Sequence, residues 1–393
     1  MKRWLTKELL VLISLVVAFA LCEAGLWLLG IEYPIFYDFD PVLGSRLRPG
    51  LQGCWLREGG GYVSINSDGL RDREHSLAKP PHTLRIAVLG DSFAEALQVN
   101  REETFWAVME RDLQACTDLG DRRVEVINFG QSGLGTSQEL LALRHRVWKY
   151  SPDIVLLAFF TGNDVADNSR ALKQKDCHPY HVFRDGRLVL DDSGAKEKWV
   201  QVQRRSWGEK FRRWREDNFR IFQVLEQGLD AALARWSHLR IRGQSAAASQ
   251  GPEPGLLDAV FRPPTQPVWR EAWKVTEAVL LEMRDEVAAR RAKFFVVVVS
   301  NGMQVHPDPA ARKKYADWIG SQDLLYPDRR LERFCQQHGV PILLLAPAFQ
   351  KYATQHQVFL HGFEGSLGDG HWNQTGHRLA GKMLARWLCE QLN

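Results

Sequence analysis

From Leu9 to Leu29 the chain is apolar, with Ser14 and Glu23 the only clearly polar interruptions. A helix of that length is about 30 Å long, the thickness of a bilayer core. Lys2, Arg3 and Lys7 lie ahead of it. By the positive-inside rule, residues 1–8 stay in the cytoplasm, residues 9–29 form a transmembrane anchor, and everything beyond faces the far side. A cleavable signal is the alternative, since Ala18-Phe19-Ala20 has the form of a cleavage site. Against cleavage, the apolar run continues through Leu26, Trp27, Leu28 and Leu29, and Trp27 suits a membrane interface. Cys22 follows Leu21 rather than a small residue and makes a poor lipidation site. A buried N-terminal helix is a third reading, disfavoured by the length and the flanking charge. Glu23 is costly within a span, and nothing in the sequence relieves it beyond closeness to the interface.

Residues 30–82 carry Gly, Pro and short apolar pieces, among them Pro34, Pro41, Pro49 and Gly59-Gly60-Gly61. They predict irregular structure or a small β extension. From residue 83 onward, strand-length apolar runs alternate with helical stretches. Strands are predicted at 84–89, 124–127, 153–160, 294–299 and 342–345, and helices at 104–113 and 137–149. The 153–160 segment is almost wholly apolar, as a central strand buried on both faces should be. The alternation predicts class α/β: a three-layer α/β/α sandwich over 83–393 with a parallel sheet of about five strands. No internal repeat is visible.

The alternation breaks between about 165 and 268, which predicts an insertion of helix and linker. Gln244 to Pro267, rich in Ser, Ala, Gln and Pro, has the composition of a mobile linker. Before it, residues 203–222 carry seven Arg or Lys, with Trp207, Phe211, Trp214, Ile221 and Leu225 close to helical spacing. The favoured reading is an amphipathic helix that packs its aromatics on the core and solvates its cations. The other is a basic surface facing lipid headgroups or an acidic glycan.

Composition narrows the class. Hydrophobic residues make up 45% and charged residues 25% of 393, an ordinary globular mixture that excludes disorder for the chain as a whole. A mean hydropathy of -0.29 leaves room for one membrane span at most. A net charge of +4 is too small and diffuse to imply a nucleic-acid partner. The six cysteines form no CxxC pair and are too sparse for a disulfide framework, so zinc and thioredoxin-type chemistry find no support.

Candidate chemistry gathers at the carboxyl ends of the predicted strands. Gly90-Asp91-Ser92-Phe93 follows the first strand directly. A serine there presents its hydroxyl at the sheet edge where open α/β folds place ligands, and amides of the following helix can face an oxyanion. Asp and Ser are also ordinary helix caps, so the tripeptide alone decides little. After the second strand, Asn128 to Thr136 contains Gly130, Gly133 and Gly135, which allow close backbone approach. After the third comes Thr161-Gly162-Asn163-Asp164, where Asn163 can donate its side-chain amide to the same oxyanion. Near the C-terminus, in Asp369-Gly370-His371-Trp372-Asn373, His371 can act as general base toward Ser92 with a nearby carboxylate fixing its tautomer.

With these four blocks in order, the chain resembles the SGNH (GDSL-type) hydrolase superfamily across residues 84–390. Asn66-Ser67-Asp68-Gly69-Leu70-Arg71 also resembles a lead-in found in membrane-anchored bacterial members. The resemblance implies a flavodoxin-like sheet, Ser92 as nucleophile, His371 as base, and an oxyanion hole from the Ser92 amide, the Gly133 amide and Asn163. Gly133 is preferred to Gly130 because it lies five residues after Asn128, as the family pattern has it. Many members carry Asp three residues before the histidine; here that place is Gly368, and Asp369, two before, is taken as the triad acid. His377 matches a family histidine on the last helix and is read as packing. An α/β-hydrolase fits less well, because its GxSxG elbow would need glycine where Ala94 stands.

The implied reaction is ester hydrolysis through an acyl-enzyme, with no metal or organic cofactor. An outward-facing site in a family rich in carbohydrate esterases points to O-acyl, chiefly O-acetyl, groups on a cell-envelope or exported polysaccharide. One alternative is a polysaccharide O-acetyltransferase with the same serine, served by a membrane acyltransferase partner. The other is an inactive glycan-binding or scaffold domain, against which the intact serine, oxyanion set and histidine argue.

Overall fold

The computed structural model describes residues 2–229 and 257–392, and the chain divides into two compact units. The first takes in the N-terminus to Phe36, Leu51–Cys54 and the described part of 203–251. The second holds the remainder and contains the sheet.

Five strands form that sheet: β1 Thr83–Gly90, β2 Arg123–Asn128, β3 Ile154–Phe160, β4 Lys293–Val299 and β5 Ile342–Leu344. Their spatial order is β5-β4-β3-β1-β2, and every pairing is parallel. This is the flavodoxin-like order, in which the order of strand addition reverses between β1 and β3 and ligands bind in the crevice outside the carboxyl ends of those strands. Each residue of β1 and β3 is buried, because helices cover both faces. Alternate side chains divide between two cores. Ala87, Leu89, Val155, Leu157, Val296 and Val298 face the helices Thr136–His145, Pro267–Ala289 and Tyr326–Gln337. Ile86, Val88, Leu156, Ala158, Val297 and Val299 face Phe105–Leu113, Ala346–His356 and Gln374–Gln391. The period-2 strand pattern therefore makes three layers from one sheet.

Arg85, buried within β1, pairs with Glu125 at 2.7 Å and donates to the carbonyls of Ser76, Leu77 and Tyr150. With its charge and donors satisfied, this arginine clips residues 76–77 to the sheet. Cys116 and Cys389 form a disulfide, so the cysteines judged too sparse for a framework still supply one cross-link, between residues 273 apart.

The insertion differs from expectation in three ways. It contains an antiparallel hairpin, Tyr180–Arg184 with Arg187–Asp191, where helix and linker were expected. Residues 244–256 of the expected linker lie outside the described residues. Just beyond them, Val260 and Phe261 are buried in the core, so this end of the stretch is not a free linker. Finally, the helix Trp207–Asn218 leaves Trp207, Phe211 and Trp214 exposed, which overturns the expectation that they pack on the core.

In the first unit, α1 (Lys2–Leu28) is a continuous helix. Glu23, unexplained by sequence, accepts hydrogen bonds from the amides of Arg220 (2.8 Å) and Ile221 (3.1 Å). It caps a helix over residues 220–229 whose first amides would otherwise lack acceptors.

Candidate active site

At the end of β1, Asp91 accepts from the Phe93 amide (2.9 Å) and caps the one-turn helix Ser92–Glu95. The capping role is real, and it belongs to Asp91. The neighbouring Ser92 hydroxyl lies 2.7 Å from His371 Nε2. On the other side of the ring, His371 Nδ1 is 2.6 Å from Glu58 Oε2, and the His371 amide donates to Glu58 Oε1 at 2.8 Å. An ionised carboxylate only accepts, so Nδ1 carries the proton and Nε2 presents a lone pair to the serine hydroxyl. Burial pushes the Glu58 carboxyl up, but its hydrogen bonds to His371 and the charge there outweigh burial and hold it below the usual value.

Glu58 corrects the expectation for Asp369. Asp369 is exposed, between Gly368 (φ +90°) and Gly370 (φ +79°), and its carboxylate accepts from the adjacent Gly370 amide at 3.2 Å. That turn keeps it from the nitrogen that Glu58 holds. Glu58 reaches the site because the glycines after it fit where side chains cannot. A Cβ on Gly59 would fall 2.9 Å from the Phe363 ring, and one on Gly61 would fall 2.6 Å from the Leu97 and Val99 carbonyls. Gln98, from that facing segment, donates to Glu58 at 3.4 Å. Arg71 of the lead-in motif is buried and donates to the Val99 carbonyl, which ties the same wall down.

The loop carrying His371 has its own support. Buried His361 joins the Gly370 carbonyl (2.8 Å, Nδ1) to the Ser300 hydroxyl (2.9 Å, Nε2), and Trp372 Nε1 donates to the same hydroxyl at 2.9 Å. Burial pulls His361 down to about 4, so it is neutral and bridges by tautomer rather than charge. Phe93 lies against the His371 ring, with centroids 4.9 Å apart. His377 is buried against Phe105 and Trp372, with Nδ1 accepting from the Phe105 amide, as the packing reading expects.

The expected oxyanion donors lie at the ends of β1, β2 and β3. Asn163 follows β3 and donates through Nδ2 to Asp91 Oδ2 at 3.1 Å, which leaves its second N–H for another acceptor. Gly133 holds a φ of +77° in the loop after β2, and a side chain there would be strained. Neither the Ser92 nor the Gly133 amide donates a hydrogen bond among the described residues. Gly130 instead donates to Asn128 Oδ1, and a side chain there would strike Ala94. The Gly133 loop is tied to the serine helix by Glu95, which accepts from Tyr37 Oη (2.6 Å), the Ser132 amide (3.1 Å) and the Ser132 hydroxyl. Burial raises Glu95 to about 7. Neither Glu58 nor Glu95 is flagged by a motif, since both act through contacts distant in sequence.

No protein-family model matches the chain, and no curated protein does. Solved structures are similar to it. The acetyl xylan esterase AlAXEase is 14% identical, covering 77% of this chain and 98% of that one at a TM-score of 0.38. An acylhydrolase from Bacteroides fragilis, so described provisionally, is 12% identical over 81% and 92% of the two chains at 0.37. LAE5, an alpha/beta hydrolase enzyme from the metagenome of Lake Arreo, is 14% identical over 79% and 96% at 0.36.

Proposed function

We propose that the chain is a serine ester hydrolase of the SGNH type that works through an acyl-enzyme. The observation that carries this is the unbroken line from Ser92 through His371 to Glu58. As Ser92 Oγ attacks the ester carbonyl carbon, its proton passes to His371 Nε2. The carbonyl π pair moves onto oxygen, where the Ser92 and Gly133 amides and Asn163 stabilise it by roughly 2–4 kcal/mol per donor. Collapse breaks the carbon–oxygen bond of the ester, and the leaving alkoxide takes the proton from His371. Water, deprotonated by His371, then attacks the acyl-serine; collapse breaks the bond from the acyl carbon to Ser92 Oγ, which takes the proton back from His371 as the acid leaves. Glu58 stabilises the imidazolium in both halves and holds the tautomer.

The substrate in this reading is an O-acetyl group on a cell-envelope or exported polysaccharide, met by a domain that α1 anchors on the outer side of the membrane. Two features support that placement. Residues Lys7–Leu28 are long and apolar enough to cross a bilayer, and the Cys116–Cys389 disulfide suits an oxidising compartment. The test is acetate release from p-nitrophenyl acetate and from an acetylated polysaccharide, with and without a glycan acceptor. Free acetate and fluorophosphonate labelling of Ser92 are expected. Acetyl recovered on the acceptor would replace the hydrolase with a transferase, and absence of labelling would remove the serine mechanism.

A further inference from the structure

The helix Trp207–Asn218 is turned the opposite way from an ordinary surface helix. At about 100° per residue, Trp207, Phe211 and Trp214 form one stripe, and Glu216 lies on the opposite side. Glu216 is the buried residue of this helix, while Trp207 is 88%, Phe211 62% and Trp214 51% exposed. Lys210 and Arg215 flank the stripe, one on each side. Residues 203–222 hold seven cations against Glu209, Glu216 and Asp217.

This stripe continues into α1. Phe211 stacks on Trp214 (5.6 Å between centroids), Trp214 meets Phe219 edge-on (5.6 Å), and Phe219 meets Phe19 (5.4 Å). Just beyond, Glu23 caps the 220–229 helix, and the Arg220 guanidinium pairs with Glu32 (2.9 Å) while reaching the Leu26 and Trp27 carbonyls. The inserted helices are therefore fastened to α1 at the level of Phe19 to Glu23. Above residue 18 the helix has a protein neighbour, and from Leu9 to Val17 its large side chains are about half exposed or more.

We propose that Trp207–Asn218 lies in the outer lipid–water interface, its aromatic stripe among the acyl chains and its cations on phosphate headgroups. This rests on the reading of α1 as a membrane span. A water-facing row of two indoles and a phenyl ring is costly, whereas at a bilayer boundary the same row is buried and the flanking Lys and Arg can snorkel to the phosphates. The headgroup layer then begins near Glu23. The hydrocarbon is then filled by the helix below Glu23, about 21 Å from Leu9 to Cys22, with Lys7 reaching to the inner headgroups, which shifts the span inward from the 9–29 window of the sequence. Glu23 is relieved of lipid by the Arg220 and Ile221 amides. The partner is the lipid surface, and the helix sets the height at which α1 holds the chain.

The experiment uses the full chain with Cys22, Cys54 and Cys177 replaced by serine, and Trp207→Cys carrying an environment-sensitive nitrobenzoxadiazole label. Protein is reconstituted in vesicles of equal phosphatidylcholine and phosphatidylglycerol, with or without a nitroxide high on the acyl chain. Co-flotation with vesicles, a blue-shifted emission and severalfold quenching by the nitroxide lipid are expected. Co-flotation with an unshifted label quenched by aqueous iodide would overturn the interfacial helix and leave the anchor standing. Failure to float would overturn the anchor reading and this inference with it. A second label at Phe211→Cys, one turn along, should behave as the first, and iodide quenching there in floating protein would equally overturn the proposal.

Discussion

A carboxylate on the far side of a histidine has two tasks: to hold the tautomer and to neutralise the imidazolium. Both require contact with Nδ1, and Glu58 makes it at 2.6 Å. Glu58→Gln keeps a hydrogen bond but can favour the wrong tautomer and offers no charge. Turnover of p-nitrophenyl acetate should fall by about 10²–10⁴-fold with a smaller change in KM, since a comparable aspartate-to-asparagine change in a serine protease costs about 10⁴-fold. Asp369→Asn, at an exposed side chain that accepts from the adjacent Gly370 amide, should stay within about twofold of wild type. The reverse ranking would return the acid to Asp369. Ser92→Ala should lose at least about 10³-fold in turnover with an unchanged Tm, because only the hydroxyl is removed. Residual wild-type-like turnover would take Ser92 out of the mechanism. Ser92 and His371 were legible because each follows a local motif at a strand end or beside the last helix. Glu58 was not, because its bond to His371 spans 313 residues and its own surroundings read only as a glycine-rich loop.

Elements declare themselves when burial is two-sided. The strands were legible to within about two residues because helices on both faces make them continuously apolar, a signal carried by the sequence itself. The Tyr180–Arg184 hairpin was not, because its strands are only partly buried and alternate weakly. The 207–218 helix was legible as amphipathic, but which face meets protein depends on a neighbour the periodicity does not name. The Thr136–His145 helix shows another limit of pattern reading: Glu139 sits on it fully buried, both carboxylate oxygens without a hydrogen bond among the described residues. Burial first, then the charges of Asp91 and Asp167, push its carboxyl well above the usual range. A carboxyl whose folded pKa is raised destabilises the fold once pH passes the unfolded value near 4.3, and increasingly until the folded pKa is reached. Glu139→Gln keeps the shape and removes that penalty. Its Tm should exceed wild type, with the difference growing as pH rises above about 4.3. A difference that is flat or shrinks with pH would show that Glu139 is paired or ionised without cost.

At the scale of the molecule, sidedness and chemistry are linked through Cys116 and Cys389. Their bond joins the segment after the Phe105–Leu113 helix to the last helix and closes residues 116–389 into one loop. Constraining so long a loop should stabilise the folded state by about 2–5 kcal/mol, and Cys389→Ser should lower Tm accordingly. The same pair reports which side of the membrane the body occupies, because cytosolic thiols are kept reduced. If α1 holds its cationic start in the cytoplasm, alkylation of denatured, unreduced protein from intact cells should leave both cysteines unmodified, and reduction should release two further sites. Replacing Lys2, Arg3 and Lys7 with glutamate weakens the topological signal, so a fraction of molecules should turn inward and present Cys116 and Cys389 as free thiols. Esterase activity on an external acetylated polysaccharide should fall by that same fraction, while activity in detergent-opened cells should change less. Thiols that are free in the unaltered protein would place the body in the cytoplasm and remove the exported polysaccharide as substrate, with the Ser92–His371–Glu58 chemistry untouched.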